Sequence, residues 1–195
     1  MLLTGRRGKD FAPRSTSGYV SAIRHRLTTR SRDGRDVTLR PLLPRDAPRV
    51  QEACSDPETV RWLGSDVINE RHSLEHANGF IERALAHVEG GGFMSWAVAD
   101  ATTDVLLGHI SLSGRHGELT DTAALGYWAH PEARGTGTTT AAAVAVVDEA
   151  LTPLADGGSG LRRLTLLAAV ATAGRSAWPR RRGSRAPVGR ARATG

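Results

Sequence analysis

Apolar positions change their period along the chain, and each change marks an element. Leu74, Ala77, Phe80, Ile81, Ala84, Leu85 and Val88 recur at the spacing of one helix face, with Ser73 before them as a cap; they predict a helix over 74–88. The run 37–42 alternates instead and predicts an edge strand stopped by Pro41. Residues 93–99 and 105–112 predict two strands around the five-residue hairpin loop 100–104. Residues 123–129 and 164–170 predict two more. Asp46 caps a short helix through Cys54, and Asp56 caps another, with Pro57 at its first position, to about Leu63. Gly90, Gly91 and Gly92 end the long helix, and residues 156–160 read as a flexible loop. The order β-α-α-α-β-β-β-α-β predicts an α/β (α+β) fold. It has a mixed, mostly antiparallel sheet with flanking helices, turning parallel across a helix at 138–151.

Leu125-Gly126-Tyr127-Trp128-Ala129-His130-Pro131-Glu132-Ala133-Arg134-Gly135-Thr136-Gly137 joins the central strand to that last helix. His130-Pro131 stops the strand, because proline cannot donate to a sheet ladder. A strand, a glycine turn and a helix N-terminus form an anion site, since free N–H groups point outward and the helix dipole favours negative charge. Glycine lets a phosphate approach the backbone closely. The same geometry is equally an ordinary tight turn. It is not a P-loop, for no Gly-Lys-Ser/Thr follows, and Thr140 stands where a dinucleotide-binding fingerprint has its third glycine.

Charge divides the chain of 195 residues. Its net charge is +6, but residues 1–36 hold nine Lys/Arg and three acids, and residues 172–195 seven Arg and no acid. The middle, 37–171, keeps ten basic and seventeen acidic groups. A basic nucleic-acid face on the folded domain is therefore not expected. Residues 1–36 read as a basic disordered leader, 37–171 as one domain, and 172–195 as an Arg-rich disordered tail. No apolar run suits a membrane span or a signal peptide, and the single Cys54 fits a reducing compartment, so a cytoplasmic protein is expected.

The words of the central stretch are more specific than its geometry. Gly-Tyr-Trp-x-His-Pro-Glu-Ala-Arg-Gly-x-Gly at 126–137 resembles the coenzyme A pyrophosphate motif of GNAT N-acetyltransferases, in particular the Rim type that acetylates protein N-termini. The family signature is Arg/Gln-x-x-Gly-x-Gly/Ala; Arg134 and Gly137 match it, and Thr139 replaces the last small residue. Gly108-His109-Ile110-Ser111-Leu112 and the opening strand, Arg-Pro-Leu, helix order are also similar to that family. The resemblance covers about 37–170. It implies acetyl-CoA as co-substrate and direct attack by a primary amine, either a protein N-terminal α-amine or a small-molecule amine. It also implies that backbone N–H groups of Tyr127, Trp128 and Ala129 hold the pantetheine and thioester, in a gap between strands 123–129 and 164–170. Gly135, Gly137, Thr138 and Thr139 would supply N–H groups to the pyrophosphate, with the charge of Arg134 nearby. For the side chains of Tyr127 and Trp128 an ordinary core role is at least as good a reading.

No general base is evident. Where many relatives carry Glu, this chain has Ala124; Glu118 and Asp121 are nearby in sequence, though each also reads as a solvated loop acid. At pH 7 an α-amine with pKa near 7.8 is roughly one-seventh neutral, and a lysine near 10.4 about one part in 2,500. That gap is about 3.5 kcal/mol, so a site short of a base favours an α-amine or another weakly basic amine. A non-catalytic acetyl-CoA-binding domain is the main alternative. A second is a metallopeptidase, from the literal His-x-x-Glu-His at His72 to His76. Ser73 as the helix cap and the lack of a third-ligand segment argue against it, and no metal is expected.

The family pattern stops after residue 170. Relatives continue with Asn-x-x-Ser, a helix ending in Gly-Phe and a final strand, where further cofactor contacts lie. This chain reads Ala-Trp-Pro-Arg-Arg-Arg-Gly-Ser-Arg at 177–185. Back-translated with GC-rich codons and read from the third base, that segment gives Val-Ala-Glu-Ala-Ala-Gly-Phe-Thr, the missing helix end. A frameshifted C-terminus, lacking the final helix and strand, is therefore expected; a genuine basic extension is the alternative.

Overall fold

The computed structural model describes residues 26–63, 73–89, 93–115 and 118–166. One six-stranded sheet runs in chain order: β1 (Leu27–Arg30), β2 (Asp36–Arg40), β3 (Phe93–Asp100), β4 (Leu106–Arg115), β5 (Glu118–Ala129) and β6 (Arg163–Leu166). The helices are α1 (Ala47–Ser55), α2 (Pro57–Leu63), α3 (Leu74–Glu89) and α4 (Thr138–Leu151). All neighbouring strands are antiparallel except β5 and β6. A parallel pair needs a crossover of a dozen or more residues, and α4 with its flanking turns supplies it. The mixed α/β class expected from the sequence is the one observed.

The two faces of the sheet bury different partners because side chains alternate along a strand. Trp96, Val98, Ile110, Leu112, Ala123 and Leu125 pack on Ala142, Ala143, Val146 and Ala150 of α4. Ala97, Leu106 and Trp128 face the other way, onto Val50 and Ala53 of α1 and Ala77, Ile81 and Ala84 of α3. Two of the three expected caps are in place: Asp56 Oδ2 accepts the Thr59 N–H at 2.9 Å, and Ser73 Oγ that of His76 at 3.2 Å. Asp46 precedes α1 without capping it, its carboxylate accepting from Arg40 and the Leu43 N–H instead.

Three further expectations about the elements need correction. Residues 26–36 are not a disordered leader: β1 pairs with β2, Leu27 opposite Leu39, around a turn with Gly34 at φ 87°. Four half-polar residues are too few to display a period, and only pairing with β2 reveals the strand. For the same reason β2 is an inner strand, not an edge, with β1 on one side and β3 on the other. The glycine loop at 157–160 is tightly tied rather than flexible. Ser159, Gly160 and Leu161 donate to Glu149, Thr152 and Ala150, and a Cβ at Gly158 would lie 2.4 Å from Thr152. Gly158 serves close approach, while Gly157 takes a left-handed φ of 86°.

The corner after β2 is closed by a buried ion network. Arg40, 1% exposed, forks onto both carboxylate oxygens of Asp46 at 2.8 and 2.9 Å and reaches Asp104 at 2.6 Å. This joins β2, the turn before α1 and the β3–β4 hairpin. The residues 1–25 of the expected leader, the end of the strand expected at 164–170 from residue 167 on, and the Arg-rich tail 172–195 with its expected lack of a final helix and strand lie outside the described residues.

Candidate active site

β5 carries the site because its two edges have different partners. Along β4 it pairs from Ala123 to Ala129, Ala129 opposite Gly108; among the described residues β6 meets it only at Thr122–Leu125. The alternation of backbone groups is fixed at both ends. The His130 N–H donates to Leu107 O, and Trp128 O lies against Gly108, so even positions face β4. Asp121 O accepts from the Arg162 N–H, so odd positions face the β6 side. By that alternation the backbone groups of Tyr127 and Ala129 point to the β6 side and those of Trp128 to β4. The Trp128 side chain is buried, stacked on His109 at 5.8 Å. Trp128 is therefore a core residue, and the expectation of a pantetheine-holding N–H there is corrected.

The turn follows as the sequence suggested. Pro131–Ala133 form one 3-10 turn, Gly135 and Gly137 take φ 75° and 86°, and α4 starts at Thr138 with Gly137 as its cap. Gly135 is exposed, with nothing within 4 Å of a Cβ built on it. The first backbone N–H to bond back along the helix is that of Ala141, to Gly137 O at 2.9 Å. Thr138 N–H is turned to Thr136 Oγ1 at 3.2 Å, and that hydroxyl donates to Ala133 O. The N–H of Thr139 belongs to the first helical turn, where no intrahelical acceptor exists.

Arg134 is placed differently from expectation. Its guanidinium donates to Asp56, Thr59 and Glu58, tying the turn to the start of α2. That bond holds the Asp56 carboxyl below the usual carboxylate range. The charge of Arg134 is thus matched by two carboxylates, and its role is to fix the turn.

His130, 4% exposed, was not singled out by the sequence. Its Nδ1 faces two donors, Arg49 Nη2 at 3.1 Å and the Glu132 N–H at 3.3 Å. Arginine has no acceptor, so Nδ1 accepts and Nε2 carries the proton, donating to Glu52 at 3.1 Å. Arg49 also bonds Glu132, holding that carboxyl below its usual range, and the Leu106 carbonyl. His130 and Arg49 therefore pin the end of β5 to α1. The one sequence signal was a polar residue between a strand end and a proline.

Of the two acids considered as a base, Asp121 does not reach the site. Asp121 is exposed and six residues up β5 from Tyr127, about 20 Å at the rise of a strand; the backbone of Glu118 lies opposite Arg115, past a register shift and five β4 positions from Ile110, the partner of Tyr127, roughly 17 Å. The side chain of Glu118 lies outside the described residues. Nearer Tyr127, the face of β4–β5 turned away from α4 carries Ser111, Ser113, Ala124 and Gly126, all small and at least partly exposed. His72 of the His-x-x-Glu-His run lies outside the described residues, and His76 is bonded to Ser73 at the start of α3.

Comparison with known proteins gives the class. The model of the acetyltransferase (GNAT) domain family matches residues 36–173. This chain belongs to that family. It is an acyltransferase that uses acetyl-CoA as co-substrate to acetylate an amine, and the metallopeptidase and non-catalytic readings are set aside. Solved structures share the fold. Mycobacterium smegmatis RimJ in complex with CoA-disulfide is 18% identical with TM-score 0.64, over 77% of this chain and 71% of that one. A putative ribosomal-protein-serine acetyltransferase from Vibrio cholerae is 17% identical with TM-score 0.60, over 80% of each chain. RimL, a ribosomal L7/L12 alpha-N-protein acetyltransferase in complex with coenzyme A, is 14% identical with TM-score 0.58, over 72% and 75%. No curated protein matches the sequence.

Proposed function

We propose that the acceptor is an α-amine, at the N-terminus of a protein or peptide. The observation that carries this is the uncharged floor of Ser111, Ser113, Ala124 and Gly126, with Asp121 too far along β5 from Tyr127 to take a proton there. A site with no carboxylate on its floor among the described residues works on an amine already neutral near pH 7, which an α-amine is to roughly one part in seven and lysine is not. In the reaction the amine lone pair attacks the thioester carbonyl. The C–N bond forms, the C–S bond breaks, and the amine proton ends on the departing thiolate. The Tyr127 and Ala129 backbone, facing the β6 side, would hold the pantetheine and carbonyl oxygen. The N–H groups of Thr136, Gly137 and Thr139 would take the pyrophosphate, with Gly135 leaving room for it. Thr138 contributes less, its N–H being turned to Thr136 Oγ1.

The test is acetyl-CoA with two peptides, one bearing a free N-terminus and no lysine, the other a blocked N-terminus and lysines. Mass spectrometry should find acetyl on the first at least tenfold faster; preference for the second overturns the proposal. We also place the enzyme in the cytoplasm. Cys54 is buried, its thiol pushed up to about 11 by burial, and no helix among the described residues is long and apolar enough to cross a membrane.

A further inference from the structure

We infer that the turn between β1 and β2, residues 31–34, is a working part of the acetyl-CoA site, and that Arg32 is a positioning residue for the pyrophosphate turn. The inference rests on the cofactor reading above.

The turn lies against Gly135–Gly137. Arg32 Nη2 donates to Gly135 O at 2.7 Å, and the Asp33 N–H donates to Thr136 O at 3.3 Å. A Cβ on Gly137 would lie 2.7 Å from Arg32 Cβ and 3.1 Å from its backbone nitrogen. Gly137 is therefore required twice, for its φ of 86° and for the approach of Arg32.

Two consecutive carbonyls are thus held on the β1–β2 side. In a trans peptide the C=O and the following N–H point in opposite directions, and no peptide here is cis among the described residues. Pinning Gly135 O backwards turns the Thr136 N–H forwards, and pinning Thr136 O turns the Gly137 N–H forwards. Successive N–H groups on one side form an anion-binding concavity. Space is open beside Gly135, where a Cβ would meet nothing within 4 Å. The hairpin does not contribute a negative charge to it: the Asp33 carboxylate is held back by Ser31 Oγ and the Arg35 N–H. The turn is itself braced, with Ser31 N–H donating to Arg35 O at 2.9 Å and Gly34 N–H to Ser31 O at 3.0 Å. Arg32 works here by holding a carbonyl, so a single donor at the end of a long side chain suffices.

The experiment compares the full chain with R32A and R32K, by calorimetric titration with coenzyme A and by turnover of acetyl-CoA and of acetyl-pantetheine, which lacks the phosphates. R32A should bind coenzyme A about tenfold more weakly, the worth of one charge-assisted hydrogen bond. Its ratio of kcat/KM for acetyl-CoA to that for acetyl-pantetheine should fall by a similar factor, through KM rather than kcat. R32K should recover most of both. Arg32 is exposed, so the melting temperature of R32A should move by no more than a few degrees. If wild type binds coenzyme A and R32A binds it within twofold, or if both thioesters lose equally, the inference is wrong and the cofactor site stands. If wild type binds no coenzyme A, the reading of the turn falls and the inference with it.

Discussion

Two corners of the sheet are built from the same parts and differ in burial. Each ends a strand with a polar residue and a proline, Arg40-Pro41 after β2 and His130-Pro131 after β5. Each is closed by arginine on carboxylates. At the first corner Arg40 and Asp46 are 1% and 3% exposed, with both donors and both acceptors matched. At the second, Arg134 and Asp56 are 31% and 21% exposed, and the turn beyond them opens outward at Gly135. A buried pair is costly to break because the survivor is left uncompensated, whereas a half-exposed pair is screened by water. The first corner is a fixed joint. The second spends its polar groups on shaping backbone and leaves room for a ligand.

The comparison breaks first at Arg40. R40A should destabilise the protein by about 3–5 kcal/mol, measured by urea unfolding, since it strands Asp46 in the core. If the cost is under about 1 kcal/mol, burial does not separate the corners.

Acid should find His109 next. It is fully buried beside Trp128 with its Nε2 on Ser95 Oγ at 2.7 Å, and burial pushes its pKa down to about 3. The folded state therefore refuses a proton that the unfolded state takes below about 6.5, so stability is complete above that pH and is lost as pH falls from there toward 3. Each pH unit in that window costs about 1.4 kcal/mol. Unfolding free energies from pH 7 to 4.5 should show this slope in wild type and lose it in H109Q.

At the open corner G137A should cost about 1–3 kcal/mol, from its left-handed backbone and its contact with Arg32, and should weaken coenzyme A binding by more than its stability loss explains. The smallest effect belongs to Arg134: R134A should cost at most about 1 kcal/mol, shrinking further in high salt. A loss as large as that of R40A would erase the contrast between the corners.

Local chemistry made part of this protein legible from its residues alone. The long amphipathic face predicted α3, and the caps Asp56 and Ser73 fixed the starts of α2 and α3, because those signals act within a few residues. The start of α4 after Gly137, the class of fold and the motif at 126–137 were likewise readable. What depended on distant partners was not. β1 exists because Leu27 meets Leu39, and β2 is internal for the same reason. Arg134 has the charge a phosphate wants, but the fold brings Asp56 and Glu58 to it across more than seventy residues. Arg32 reads as one basic residue among many near the N-terminus, yet it closes on Gly135 across 103 positions. Sequence period shows which face a residue takes; only the packed chain decides which charges meet and which peptide planes are turned toward a ligand.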